Sequence, residues 1–170
     1  MKNYILRKNK KIYYTKIGKG NPIVLLHGIS SSSNTWNEVA NQLKKTRTLF
    51  LVDFRGHGES DHFESYNWNE YAEDTAELIE KNIKEPVDLL GHSLGACVAA
   101  QTSSLLNKKI KKLILEEPPF YHYERYGEKR IADRFMGNLK LSKEYSSKKE
   151  IYNKLSNNPK LSNVKNLDMI

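Results

Sequence analysis

The stretch that most limits what this chain can fold into is Val87-Asp88-Leu89-Leu90-Gly91-His92-Ser93-Leu94-Gly95-Ala96. An apolar run enters it and Cys97-Val98-Ala99-Ala100 leaves it. That order reads as a buried strand, one sharp turn and a buried helix. Gly91 and Gly95 flank Ser93 two residues to either side, where a turn this tight leaves no room for larger side chains. The pattern is G-x-S-x-G, which lifts a serine hydroxyl above a sheet and aims the next backbone N–H, that of Leu94, at the same point. Five residues with three fixed recur by chance, so the weight lies in the strand before and the helix after.

Two further punctuated strands precede this one. Residues 23–26, Ile-Val-Leu-Leu, are apolar on both faces, as a central parallel strand requires, and end in His27-Gly28-Ile29. Residues 48–52 run into Asp53-Phe54-Arg55-Gly56-His57-Gly58-Glu59-Ser60. A Ser-rich loop, residues 30–33, offers helix caps, and Trp36, Val39, Ala40 and Leu43 predict one helix with an apolar stripe. Asn67 with Glu70 forms a capping pair for a second helix, whose face is Trp68, Tyr71, Thr75, Leu78, Ile79 and Ile83. Residues 112–116 read as another parallel strand, stopped by Pro118-Pro119. The chain opens with alternating residues 4–8 and 11–17, an antiparallel hairpin turning at Asn9-Lys10. The sum is an α/β chain with a mostly parallel sheet.

Composition narrows the class of protein. A chain of 170 residues suits one α/β core, and its 38% apolar and 28% charged residues are those of a globular protein. No apolar run approaches the roughly 18 residues of a membrane span, and the N-terminus lacks the apolar core of a signal peptide, so a cytoplasmic protein is expected. The net charge of +8 sits almost wholly in residues 108–170. There the lysines are interleaved with Glu124, Glu128, Asp133, Glu144 and Glu150, and no nucleic-acid motif accompanies them, so a solvated helical surface is the reading. Cys97 has no partner for an internal disulfide and reads as a small buried apolar residue. No metal-ligand cluster or nucleotide-binding glycine pattern occurs, and no cofactor is expected.

The three motifs together, His27-Gly28, Asp53-x-Arg55-Gly56-His57-Gly58-x-Ser60 and Gly91-His92-Ser93-Leu94-Gly95, resemble those of the α/β-hydrolase superfamily in order and context. The resemblance covers residues 4–119 closely. It implies Ser93 as a nucleophile for acyl carbon and the N–H groups of Leu94 and Ile29 as an oxyanion hole. It implies that Asp53, Arg55 and His57 hold a tight loop, with Arg55 paired to Asp53 or Glu59. His27 and His92 are expected to satisfy their ring nitrogens on loop backbone. A serine at this turn implies cleavage of an ester, thioester, amide or carbon–carbon bond in a small-molecule substrate.

One part of the family pattern is not met. The triad order is Ser, then Asp or Glu, then His. Glu116 or Glu117 could serve as the acid, but only His122 follows Ser93, too early to end a last strand. The expectation is therefore a C-terminally truncated hydrolase that lacks the last two strands. Its core spans residues 1–119, and 120–170 form an incomplete helical cap. Its alternatives are a non-catalytic binding remnant and one half of a split enzyme completed by another chain.

Overall fold

The computed structural model describes residues 2–120, so the predicted cap and His122 lie outside the described residues. The hairpin pairs β1 (Lys2–Arg7) with β2 (Lys10–Gly18). Its turn is Lys8-Asn9, one residue earlier than the alternation suggested, with Arg7 opposite Lys10. Both turn residues have positive φ, 49° and 62°, the geometry whose twist matches a two-residue hairpin.

The remaining strands are β3 (Asn21–Leu26), β4 (Arg47–Val52), β5 (Val87–His92) and β6 (Ile110–Glu116). They join the hairpin in one sheet of order β1-β2-β4-β3-β5-β6. The pairings β4–β3, β3–β5 and β5–β6 are parallel, and β2 meets β4 antiparallel. This is the expected α/β architecture, with β3 at its centre.

Between β3 and β4 the predicted single helix is two pieces, a 3-10 turn over Ser33–Trp36 and α1 (Asn37–Leu43). The tight start has a cause in the Ser-rich loop. The Ser32 hydroxyl accepts the Asn34 N–H, while the Ser33 N–H is drawn to Asp53. Helix α2 (Trp68–Asn82) opens with the Asn67–Glu70 capping box the sequence suggested. Tyr71, Thr75, Leu78 and Ile79 are buried along it, whereas Trp68 is among the exposed large apolar residues. Helix α3 (Leu94–Leu106) follows Ser93 directly.

Strand alternation divides the core between the two sheet faces. Val24 and Leu26 join Phe50, Val52 and Leu89 beneath Leu78, Ile79, Val98 and Ala99 of α2 and α3. Ile23 and Leu25 point the other way, to Leu49, Leu51, Trp36 and Ala40. Each such side chain, fully buried, contributes about 1.5–3 kcal/mol, and this two-sided burial fixes where the strands end. Those ends carry the three motifs. Cys97 is buried in α3, and burial pushes its thiol up to about 11, so it packs as an apolar residue.

Candidate active site

The site is assembled at the carboxyl ends of β3, β4 and β5, where ligands of parallel α/β sheets bind. Ser93 joins β5 to α3 with φ 52° and ψ −115°, a conformation that L-residues avoid unless the surroundings impose it. The surroundings do so through two glycines. A Cβ on Gly91 would lie 2.0 Å from the Gly95 carbonyl oxygen. One on Gly95 would lie 2.3 Å from the Leu26 oxygen and 2.6 Å from that of His27. Strand β5 therefore runs against the first turn of α3, and α3 against the end of β3. The Ser93 N–H donates to the Glu116 carbonyl at 2.9 Å, and its own carbonyl accepts from Ala96 and Cys97.

These bonds leave the side chain and the helix start unengaged. Ser93 makes no side-chain cap, and the Leu94 N–H has no acceptor within its helix. Ile29, 40% exposed, follows Gly28 and precedes Ser30 at φ 58°. Gly28 brings this loop close to Ser93. A Cβ there would lie 3.1 Å from His92 Nδ1 and 3.5 Å from the Ser93 Cβ. Gly28, His92 and Ser93 are thus brought together, with Ile29 and Leu94 adjacent in the chain.

The remaining motif residues support the loops. His27 is fully buried; its Nδ1–H donates to the Gly28 carbonyl at 2.7 Å and its Nε2 accepts the Phe54 N–H at 3.1 Å. Burial lowers its pKa to about 4, so the ring is neutral and ties the β3 loop to the β4 loop. The His57 Nδ1–H donates to the Arg55 carbonyl at 3.0 Å, and burial lowers that pKa too. Asp53 receives the Ser33 N–H at 2.7 Å on one oxygen and the Glu59 N–H at 3.1 Å on the other. Gly58, at φ 56°, is there because a Cβ would lie 2.3 Å from that carboxyl carbon. The Ser60 hydroxyl donates to the Asp53 carbonyl and accepts the Tyr13 N–H, fastening the motif to β2.

Arg55 pairs with neither Asp53 nor Glu59, contrary to expectation. Its guanidinium turns away from the loop to α2 and grips Asp74 with two hydrogen bonds, adding an ion pair to Glu70 at 3.0 Å. Asp53 instead holds a backbone N–H on each carboxylate oxygen. Asp74 also receives Arg7 Nε at 3.1 Å, so it stands between two arginines. Burial pushes the Asp74 carboxyl up from the usual range, against the pull of Arg55 and Arg7. The sequence did carry a signal for Asp74: a carboxylate three residues from Tyr71 and four from Leu78, inside an apolar stripe.

The candidate acids sit beyond β5. Glu116 ends β6 and offers its carbonyl to Ser93. Glu117, at φ 47°, has its carboxylate 3.9 Å from His92 Nε2. Among the described residues no group of three or more His, Cys, Asp or Glu side chains could hold a metal ion, and no helix is long and apolar enough to cross a membrane.

Sheet order, strained serine and flanking glycines define an α/β chain built around a strand–serine–helix junction. The sequence profile described as the alpha/beta hydrolase fold matches residues 21–136, and the chain belongs to that family. An uncharacterized protein of Mycobacterium tuberculosis is 37% identical over 99 residues, 58% of this chain and 29% of that protein. A marine microorganism esterase superposes with TM-score 0.70 at 29% identity over 85% of this chain and 57% of its own. The N-formylmaleamic acid deformylase of Pseudomonas putida superposes with TM-score 0.64 at 30% identity, over 70% of this chain and 47% of its own. The chain thus spans less than a third of the mycobacterial relative and about half of each enzyme.

Proposed function

We propose that this chain supplies the nucleophile and the oxyanion donors of a serine hydrolase acting on a small acyl substrate: an ester, thioester, amide or activated carbon–carbon bond. The observation that carries the reading is the backbone of Ser93, held at φ 52° and ψ −115° by close packing at Gly91 and Gly95. Structural need does not explain it, since a glycine would adopt that conformation with less strain.

In the proposed reaction Ser93 Oγ attacks the carbonyl carbon. The oxygen that gains charge is received by the Leu94 and Ile29 N–H groups, worth roughly 3 kcal/mol per donor in acyl transfer. The leaving group departs with a proton, and water then cleaves the acyl-serine. The hydroxyl proton needs an acceptor. His27 is excluded because both ring nitrogens are engaged, whereas His57 and His62 each hold one ring nitrogen on Arg55 and Tyr66, and His92 lies beside Ser93. The triad order places the base after Ser93, which points to His122, to sequence beyond it or to a complementing chain. Removing such a histidine costs about 10⁶ in turnover, so its source decides the rate.

A fluorophosphonate probe tests the assignment, with the modified residue located by peptide mass spectrometry. The expected result is phosphonylation of Ser93, accelerated by added imidazole and lost in Ser93→Ala. Labelling unchanged in Ser93→Ala, or no labelling of folded protein even with imidazole, overturns it. Loss of unassisted labelling in His122→Ala would identify His122 as the base.

A further inference from the structure

We propose that His27 is the positioning residue for the Ile29 oxyanion donor: its ring sets the plane of the Gly28–Ile29 peptide and so the direction of the Ile29 N–H. His27 then aims the group that receives the charge formed when Ser93 attacks, and the assignment rests on that reading of Ser93. The His27 Nδ1–H donates to the Gly28 carbonyl at 2.7 Å, and that carbonyl shares its peptide unit with the Ile29 N–H. Among the described residues no peptide bond is cis, so the carbonyl and the N–H point in opposite directions. Whatever holds the carbonyl therefore aims the N–H.

Sheet order gives the direction. Strand β3 lies between β4 and β5. The His27 ring sits on the β4 side, where its Nε2 accepts the Phe54 N–H and its centroid lies 4.7 Å from that of Phe54 and 5.2 Å from that of His57. The Gly28 carbonyl turns to this ring, so the Ile29 N–H turns away from it, toward β5 and Ser93. Gly28 is already close to that serine, since the point where a Cβ would stand is 3.5 Å from the Ser93 Cβ. The Ile29 N–H donates to no group among the described residues. Beyond it, Asp53 takes the Ser33 N–H at 2.7 Å, so the loop is held on both sides of the donor.

The two ring nitrogens do different work. A carbonyl only accepts, so Nδ1 carries the proton, and Nε2 is left to accept from Phe54. The Nε2 bond ties one loop to the next; the Nδ1 bond aims the donor. Side-chain amides separate the two. An asparagine nitrogen reaches the Nδ1 position and leaves the Phe54 N–H unserved. A glutamine oxygen reaches the Nε2 position and leaves the Gly28 carbonyl unheld. If His27 only ties loops, glutamine replaces it at least as well as asparagine. If it aims the donor, asparagine replaces it better.

Two measurements on the full chain test this. Ser93 is labelled with the fluorophosphonate probe and imidazole over a range of probe concentrations, and the residual dipolar coupling of the Ile29 N–H is read in weakly aligned, isotope-labelled protein. In His27→Gln the limiting labelling rate should fall roughly 10²-fold, the loss that one oxyanion donor carries in acyl transfer, with the half-saturating probe concentration little changed. His27→Asn should keep most of the native rate. The Ile29 coupling should match the native value in His27→Asn and depart from it in His27→Gln. Labelling as fast in the glutamine variant as in the asparagine variant, or an Ile29 coupling unmoved by glutamine, would overturn the proposal. A native chain that is not labelled at all would bring down the reading of Ser93, and this proposal with it.

Discussion

Arg55 Nε lies 2.7 Å from one oxygen of Asp74 while Nη2 lies 2.8 Å from the other, and both side chains are almost fully buried. The pair ties the β4 motif loop to α2. A third bond, from Nη1 to the Ser65 carbonyl at 3.1 Å, extends it to the α2 approach. Breaking a buried pair costs about 3–5 kcal/mol when the surviving charge is stranded, but here Arg55 keeps Glu70 and Asp74 keeps Arg7. Asp74→Ala should therefore lower unfolding free energy by about 2–3 kcal/mol in urea titration, and Arg55→Met should do the same. The double variant should lose clearly less than the sum, because neither charge is then left alone.

That pair also marks where the sequence stopped being legible. The elbow, the central β3 strand and the α2 capping box are local: each is set by residues within a few positions of one another. Arg55 and Asp74 are 19 positions apart, and their meeting depends on how α2 lies on the sheet. The motif gave Arg55 a nearby acid, Asp53, whose oxygens were already committed to two N–H groups. Trp36 failed for a different reason. Its spacing fitted a helix, yet the Ser32 cap and the Asp53 bond to Ser33 wind the preceding residues into a tighter turn. The oxyanion candidates were readable in position but not in geometry, since nothing local to Ile29 says that Gly28 approaches Ser93.

Close backbone approach predicts a graded response at three glycines. A Cβ at Gly91 or Gly95 meets backbone carbonyl oxygen, which cannot swing away. Gly91→Ala and Gly95→Ala should each cost about 3 kcal/mol or more. At Gly28 the nearest atom is His92 Nδ1 at 3.1 Å, a side-chain ring that can move. Gly28→Ala should cost about 1 kcal/mol. Denaturant midpoints of the three variants check the order, and equal losses at all three would contradict the contacts described.

His27 makes stability depend on pH. Its ring is neutral when folded, with a pKa of about 4 against an ordinary 6.5. Between those values the unfolded chain binds a proton that the folded chain does not. The group's contribution is fully present above pH 6.5 and is lost as pH falls from there toward 4. The shift corresponds to roughly 3 kcal/mol at most, and His57, lowered in the same direction, adds to it. Unfolding free energy should therefore decline from about pH 7 to about pH 4.5. His27→Gln should start lower at neutral pH and decline less steeply over that window. Parallel slopes for the two proteins would place the pH dependence elsewhere.

Strain at Ser93 can be measured separately from its chemistry. A non-glycine residue in such a conformation stores about 1–3 kcal/mol. Ser93→Gly relieves that strain, but glycine returns roughly 0.5–1 kcal/mol by loosening the unfolded chain. The net expectation is a gain of about 1 kcal/mol over the native protein. Ser93→Ala keeps the Cβ and hence the strain, so it should be close to neutral. Both variants lose the hydroxyl, and the difference between them isolates the backbone. Comparing their urea midpoints decides the matter. A glycine variant less stable than the alanine variant would show that the turn at 93 holds no stored strain, and the case for a serine kept there against stability would fall with it.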